Sequence, residues 1–207
     1  MGFYGDHVLP RCTNMLLGGA QFTKIRRRVV AGLAGDVLEV GFGTGLNVPH
    51  YPVEVRRVLA VEPADVGRRL ADRRLAASPV PVTFVGLDGA KLPLDSASVD
   101  HVLITWTMCT IPDVEAALDE MHRVLRPGGR VHFAEHGLSP DPKVAAWQDR
   151  LTPLQRWWGG GCHLNRPIAR LIEGAGFAVE RMDNFYIKGP KAMGYMFEGM
   201  ATKGTPP

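Results

Sequence analysis

Apolar runs of strand length recur through the first two thirds of the chain, separated by segments with helical periodicity. Most are rich in valine and isoleucine or nearly continuously apolar, which is typical of strands buried on both faces of a parallel sheet. Strands that alternate with helices indicate βαβ units with helices on both faces of the sheet. We predict strands at 36–41, 57–62, 82–86, 99–106 and 130–136, with helices at 64–77 and 113–126.

After residue 140 the pattern changes. An amphipathic segment at 141–158 predicts a helix that is interrupted by Pro153. A shorter helix is predicted within 165–177, with Asn165 as its N-cap and a glycine as its stop. In the preceding half, the Pro-Gly-Gly tripeptide at 127–129 predicts where helix 113–126 ends.

The last segment predicts two closing strands, joined by a turn at Gly189 and Pro190. We find no repeat, low-complexity tract or linker in the 207 residues, and therefore predict one domain, 1–207. Within it we expect an N-terminal lid region at 1–34, a cofactor-binding half at 35–137 and a substrate-side half at 138–207.

Composition narrows the class of protein. Hydrophobic residues make up 45% and charged residues 22% of the chain, as in ordinary soluble globular proteins. The net charge of +3 is too small to indicate a nucleic-acid partner. No run approaches the roughly 18 to 20 apolar residues needed to span a bilayer, and the N-terminus does not have the apolar core of a signal peptide. We therefore expect a cytoplasmic protein that binds no nucleic acid.

The three cysteines are far apart and odd in number, so a disulfide framework is not expected. No CxxC pair occurs, and the histidines show no spacing that suggests a metal site. We expect Cys109 and Cys162 to be small buried residues, and we expect no metal.

The stretch VLEVGFGTGLN at 37–47 places three glycines at alternate positions directly after a predicted strand. A strand, a glycine-rich turn and a helix present backbone N–H groups to a ligand at the end of the strand. The spacing is Glu39-x-Gly41-x-Gly43-x-Gly45, whereas the dinucleotide pattern GxGxxG requires glycine or alanine at the position of Leu46. The pattern alone leaves open a purely structural turn.

Two further acids follow the next two predicted strands. Glu62 ends the second strand and can accept both hydroxyls of a ribose, which fits NAD and S-adenosylmethionine equally well. Asp88, after the third strand, can accept the amino group of an adenine.

Together with VLRPGGRVHF at 124–133, these motifs resemble those of class I S-adenosylmethionine-dependent methyltransferases over about residues 35–137. The resemblance implies an α/β, Rossmann-like fold with a seven-stranded, mainly parallel sheet of order 3-2-1-4-5-7-6. It implies that Glu39 and the loop 41–45 hold the methionine end of the cofactor, Glu62 the ribose and Asp88 the adenine. The cofactor-binding set that it implies is Glu39, Gly41, Phe42, Gly43, Thr44, Gly45, Asn47, Glu62, Pro63, Asp88, Gly89, Thr105 and Trp106.

The substrate half has a narrower resemblance. The stretches VLITWTMCTIPD and GGGCHLNRPIARLIEGAGF are similar to those of the methyltransferase-like thiol S-methyltransferases and their bacterial relatives. The chain differs from that family at Gly160, where the family has aspartate, and at Asn165, where it has threonine. The resemblance implies a small, largely apolar acceptor with a thiol; phospholipid and quinone-type methyltransferases and a non-catalytic cofactor-binding protein are the alternatives.

A thiol reacts as its thiolate, so a neighbouring base or cation would assist the reaction. His136 ends the fifth predicted strand and His163 follows the glycine run, and each is a candidate to orient or deprotonate the acceptor. Either can equally be a structural, hydrogen-bonded histidine. We expect aromatic walls for the acceptor from Phe3, Tyr4, Trp106, Trp157 and Trp158.

The N-terminal segment 15–33 has two interpretations. It can be a helix that covers the cofactor pocket, or an amphipathic helix on a lipid surface, with Lys24 and Arg26 to Arg28 facing headgroups. The sequence favours the lid and leaves peripheral membrane contact open. It does not indicate an oligomeric state.

Overall fold

The computed structural model describes residues 8–204, which contain a sheet in the order β3-β2-β1-β4-β5-β7-β6. The pairs among β1 to β5 are parallel, whereas β7 is antiparallel to both β5 and β6. The predicted α/β fold and strand order are therefore confirmed. The strands are β1 (Gly35–Val40), β2 (Val55–Val61), β3 (Val82–Gly86), β4 (Val99–Thr105), β5 (Leu125–His136), β6 (Phe177–Tyr186) and β7 (Tyr195–Lys203).

Helices connect most of the strands, and a short 3₁₀ turn, Val48–His50, follows the glycine-rich loop. Among residues 8–204 no helix is both long enough and apolar enough to cross a membrane. The helices are α1 (Leu9–Leu17), α2 (Ala20–Val30), α3 (Asp65–Ala76), α4 (Val114–Val124), α5 (Pro142–Trp158), α6 (Ile168–Gly174) and α7 (Lys191–Gly194).

The two faces of the sheet are buried by different helices, because successive side chains of a strand point to opposite faces. On one face, Ile104 and Phe133 share a cluster with Leu118 of α4 and Ile172 of α6. On the other face, their chain neighbours Leu103 and Ala134 share a cluster with residues of α2. The sheet is thus covered on both sides, and its strand ends remain for ligands.

The Pro-Gly-Gly tripeptide does not end α4, so that prediction is wrong. The helix begins as predicted after Asp113, whose side chain accepts from the Ala116 N–H. It ends at Val124, and Leu125 already starts β5, which contains residues 127–129. The helix ends before the tripeptide because Leu125 is fully buried and already pairs with Val99 of β4.

Two details of the last third also differ from expectation. Helix α5 continues through Pro153. This proline has no N–H to donate to the carbonyl four residues earlier, but it lies on an exposed side of the helix, where that carbonyl is within reach of water. Asn165 does not cap α6, since its amide donates to Asp149 and the helix starts after Pro167. The two closing strands form as predicted, with α7 between them.

The segment 15–33 forms parts of two helices instead of one. Gly18 follows α1, and Gly19 has an extended conformation that separates α1 from α2. The two helices therefore have different environments: α1 has no buried residue, whereas α2 buries Ile25, Arg26, Val29 and Val30.

Candidate active site

The chain order of the strands reverses between β1 and β4, which are adjacent in the centre of the sheet. In open α/β sheets ligands bind outside the carboxyl ends of the strands at such a switch point. Glu39 and Thr105 lie at these ends of β1 and β4, and Glu62 directly follows β2. The fold therefore brings the sequence-predicted residues of three strands to one edge.

The three glycines of the loop after β1 serve different purposes, although all have positive φ. A Cβ on Gly41 would lie 2.0 Å from Oγ1 of Thr107, and one on Gly45 would crowd Ala71, Phe42 and Val48 at 3.2 Å. These two glycines are required by packing within the protein. A Cβ on Gly43 would meet nothing closer than a carbonyl at 4.0 Å, so the backbone at Gly43 is open to a ligand.

Glu39 is buried, and each of its two carboxyl oxygens accepts one hydrogen bond within the protein. Its carboxylate accepts from Nδ2 of Asn47 at 2.9 Å and from the hydroxyl of Tyr51. Burial raises the pKa of Glu39 to about 7, although Tyr51, Asn47 and the charge of Arg26 oppose that rise. The side chain is therefore only partly ionised at neutral pH and gains its buried negative charge as the pH rises through about 7.

Arg26 of α2 enters the same site, in contrast to the headgroup-facing position that the membrane interpretation gave it. Its Nη1 donates to Oδ1 of Asn47 at 2.9 Å, and its guanidinium lies 4.6 Å from the ring centroid of Trp106. Its Nε is buried without a hydrogen-bond partner in the described part of the chain. Burial lowers the pKa of Arg26 to about 10, so the side chain remains a cation at neutral pH.

Asn47 therefore joins a buried cation and a buried carboxyl through one amide group. Its Nδ2 also lies 3.1 Å from Oγ1 of Thr105 at the end of β4. The structure thus brings Glu39, Asn47 and Thr105 together as the sequence suggested, and adds Arg26 and Tyr51.

Glu62 fastens the open part of the glycine loop to the end of β2. Its two oxygens accept from the N–H of Gly43 at 2.6 Å and of Ala64 at 2.8 Å. A carboxylate has about four lone-pair positions, so acceptor capacity remains for two hydroxyl groups. Burial raises the pKa of Glu62 in spite of these two backbone hydrogen bonds.

The remaining cofactor candidates differ in exposure. Asp88 is exposed and accepts from the N–H of Ala90, while Gly89 is buried against Val40. Pro63 is exposed beside Glu62. Two others make their contacts within the protein: Phe42 is buried in a hydrophobic cluster, and the hydroxyl of Thr44 donates to Asn14 of α1.

The chain leaves β4 through an unusual conformation, since Trp106 has a φ of 50°. Non-glycine residues at positive φ are uncommon, and such strain concentrates at functional sites. The next two backbone N–H groups, of Thr107 and Met108, donate to Oε1 of Glu135. Glu135 is completely buried, and this burial raises its pKa to about 7.

On the substrate side, His136 and His163 both lie at the loop that follows β4. Nε2 of His136 is 3.1 Å from Sγ of Cys162, while the backbone N–H of His163 donates to the carbonyl of Cys109 at 2.8 Å. Nδ1 of His163 lies 3.2 Å from the same carbonyl. Cys109 and Cys162 are buried, as expected, and are also close to His136.

The expected aromatic walls are only partly present. Trp106 is half-buried at the site and contacts the ring of Phe22. The side chains of Trp157 and Trp158 are 76% and 54% exposed at the end of α5, because that helix turns them outward. Phe3 and Tyr4 lie outside the described residues.

Comparison with known proteins agrees with this geometry. Residues 38–133 match the model of a methyltransferase domain family. A phosphatidylethanolamine N-methyltransferase of Cereibacter sphaeroides is 30% identical over 65% of this chain and 68% of its own length. The chain belongs to the S-adenosylmethionine-dependent methyltransferase family.

Other members of the family are similar over a comparable region. Thiol S-methyltransferase TMT1B of Rattus norvegicus is 32% identical over 71% of this chain and 62% of its own length. A demethylmenaquinone methyltransferase of Clavibacter sepedonicus is 33% identical over 66% of this chain and 57% of its own length. The chain thus spans about three fifths of these two relatives.

A solved structure supports the fold. A Bacillus halodurans C-125 protein described as a methyltransferase superposes with a TM-score of 0.71 over 90% of this chain and 100% of its own length. The two sequences are 15% identical, so this similarity concerns the fold.

Three residues of the candidate site, Arg26, Tyr51 and Glu135, were not predicted from the sequence. Arg26 has a detectable signal, because it lies three and four positions before Val29 and Val30 on the buried face of α2. Tyr51 and Glu135 have no comparable local signal. Their roles depend on contacts with residues 12 and 27 to 28 positions away.

Proposed function

We propose that this chain binds S-adenosylmethionine at the carboxyl ends of β1 and β4 and methylates a small thiol. The observation that carries the cofactor proposal is the Arg26–Asn47–Glu39 arrangement, in which an amide separates a buried cation from a buried carboxyl. This arrangement matches the methionine end of the cofactor, which has one carboxylate and one ammonium group. Arg26 has a free Nε donor for the carboxylate, and Glu39 provides negative charge for the ammonium group.

The other proposed contacts follow the same edge of the sheet. The open backbone at Gly43 allows close approach of the cofactor, Glu62 has acceptor capacity for the ribose hydroxyls, and Asp88 is available to the adenine. Bound S-adenosylmethionine supplies a methyl group on a sulfonium, and the protein contributes mainly position and a desolvated site.

The thiol acceptor is supported by the similarity to TMT1B, which extends beyond the cofactor half to 71% of the chain. It is also supported by His136 and His163, which lie beside the loop that follows β4. These two residues are our candidates to orient or deprotonate the acceptor. An apolar groove of about 380 Å³ lies nearby, lined by Leu151, Leu154, Gln155, Trp158, Leu164 and Met193.

The decisive experiment is a methyl-transfer assay with isotopically labelled S-adenosylmethionine. A simple alkyl thiol, a phenol, a quinol and phosphatidylethanolamine vesicles are offered side by side. We expect label in the alkyl thiol, with a lower kcat in His136→Ala or His163→Ala and little change in cofactor affinity. Label in another acceptor alone would refute the thiol assignment and leave the cofactor proposal intact.

A phospholipid acceptor is the second candidate, because the relative from Cereibacter sphaeroides acts on phosphatidylethanolamine. Exposed Lys24 and Arg27 on α2 could contact headgroups. Arg26 is buried, and Arg28 forms an ion pair with Glu198 at 2.6 Å, so fewer cations are available than the membrane interpretation assumed. This candidate predicts that activity requires anionic vesicles and falls with salt.

A further inference from the structure

Cys109, His136 and Cys162 come from three separate parts of the chain and meet in the interior of the protein. Cys109 lies in the loop after β4, His136 ends β5, and Cys162 lies in the loop between α5 and α6. Their two sulfur atoms and a ring nitrogen all lie within 4.8 Å of one another, and all three residues are buried. Two thiols and an imidazole form a ligand set typical of zinc.

The backbone around these three side chains is held by several independent contacts. The guanidinium of Arg166 donates to the carbonyls of Met108 and Ile111, on either side of Cys109. Glu135 accepts from the N–H groups at the start of the same loop. The loop is therefore fixed from two sides, which is how metal ligands are held in position before the ion binds.

The loop that carries Cys162 is similarly constrained. Gly160 and Gly161 both have positive φ, and a Cβ on Gly160 would lie 2.5 Å from the side chain of Leu9. The N–H of Cys162 donates to the carbonyl of Gly159, and the next residue donates to the carbonyl of Cys109. The two cysteine-bearing loops are thus hydrogen-bonded to each other.

Two buried polar atoms, one in the cluster and one beside it, have no partner in the described part of the protein. Nδ1 of His136 and Oε2 of Glu135 are buried and have no hydrogen-bond partner among residues 8–204. Buried polar atoms without partners are rare and often indicate a water molecule or an ion.

We propose that Cys109, His136 and Cys162 bind one Zn²⁺ ion, whose fourth position takes the sulfur of the acceptor. Ligands of a tetrahedral zinc lie roughly 3.5 to 4 Å apart, so shifts of about 1 Å at the side-chain ends suffice. On binding, the acceptor thiol loses its proton to solvent and its sulfur forms a bond with zinc, which stabilises the thiolate near neutral pH.

The location fits that role. Thr107, two residues before Cys109, packs against Gly41 of the cofactor loop, so the ion would lie next to the proposed methionine end. On its other side, Gln155 hydrogen-bonds to the Cys162 thiol and also lines the apolar groove. An apolar thiol could therefore reach the ion through this groove. The role in the acceptor's activation rests on the proposed function, whereas zinc binding itself does not.

The first test measures zinc in the purified full-length protein by mass spectrometry, after dialysis against trace Zn²⁺. We expect one ion per chain in the wild type and in Cys12→Ser, a matched control at an exposed cysteine. Cys109→Ser and Cys162→Ser should retain almost none, while S-adenosylhomocysteine still raises their melting temperatures. No bound zinc in the wild type, or an equal content in both variants, would overturn the site.

A second test needs no variant, and so does not depend on whether a substitution is tolerated. Co²⁺ is loaded into the wild-type protein, where we expect the absorption of a thiolate-bound tetrahedral ion. Titration with a simple alkyl thiol should shift that spectrum, and a shift absent at saturating thiol would refute the acceptor role. If zinc binds but no thiol is methylated, the site stands and the proposed function fails. Full thiol methylation by zinc-free protein would support the proposed function and refute the role of the ion in activating the acceptor.

Discussion

At the scale of single residues, Arg26 has the greatest effect on the chemistry of the site. A buried guanidinium whose Nε has no hydrogen-bond partner among residues 8–204 is costly to maintain without a ligand. The arrangement is therefore best explained by an anionic partner, and the cofactor carboxylate fits it.

We expect Arg26→Ala to weaken S-adenosylhomocysteine binding at least tenfold, since hydrogen bonds to charged groups contribute about 1.5 to 3 kcal/mol. Arg26→Lys should recover part of the affinity, because the charge remains but the Nε donor is lost. Calorimetry gives both dissociation constants. Arg27→Ala, one position along on the exposed face, is the control, and an equal loss there would refute the assignment.

Glu39 predicts a pH dependence of cofactor binding. Its folded pKa, raised to about 7 by burial, means that the carboxylate forms between about pH 6 and 8. The groups that face it are Tyr51, Asn47, Arg26 and, at longer range, Glu62. Since we propose that the ionised form attracts the cofactor ammonium group, affinity should rise with pH across this window.

The slope should disappear in Glu39→Gln, which keeps the shape and removes the charge. In the absence of ligand, the stability of the protein should change with pH in the opposite direction. Above about pH 4.5 the folded state holds a proton on Glu39 that the unfolded state has released. The free energy of unfolding should therefore fall as the pH rises towards 7. Calorimetric titrations at several pH values and urea unfolding test the two statements separately. An unchanged slope in Glu39→Gln would assign the dependence to another group.

At the scale of elements, the glycines of the loop after β1 differ in their surroundings. Gly41 faces Thr107, whereas Gly43 faces open space, although both have positive φ. Helix α2 contributes by placing Arg26, and α1 contributes through Asn14, which accepts from Thr44 of the loop.

We expect Gly41→Ala to destabilise the protein by roughly 2 to 4 kcal/mol, because steric overlap with Thr107 adds to backbone strain. Gly43→Ala should cost only about 1 kcal/mol of stability but weaken cofactor binding, since its methyl group enters the ligand space. Urea unfolding and calorimetry measure the two effects. If both variants lost stability equally and bound cofactor normally, the loop would be purely structural.

At the scale of the whole molecule, the cofactor should stabilise the fold, because the contacts that we propose for it come from α2, β1, β2 and β4 at once. S-adenosylhomocysteine at about 100 times its dissociation constant should add about 2.7 kcal/mol and raise the melting temperature. NAD should give no shift, since the loop departs from GxGxxG at Leu46. A shift with NAD alone would exclude the proposed cofactor.

The amino-acid sequence by itself determined the positions of the strands, the α/β alternation and the glycine-rich loop after β1. These features depend on local periodicity and on conformations that glycine allows, so they can be read over a few neighbouring residues. The strand order 3-2-1-4-5-7-6 came from the resemblance that those motifs carry. The same local signals failed at Pro153, at Asn165 and at residues 127–129, where the surrounding chain overrode them.

Only the tertiary structure decided which side chains share the site. It turned Arg26 inwards and Trp157 outwards, because the packing of a helix against the sheet fixes which face is buried. It also brought Cys162 to His136, 26 positions away in the chain, and joined Arg26 to Glu39 through Asn47. Such contacts depend on how distant elements pack together, and no spacing along the chain encodes them.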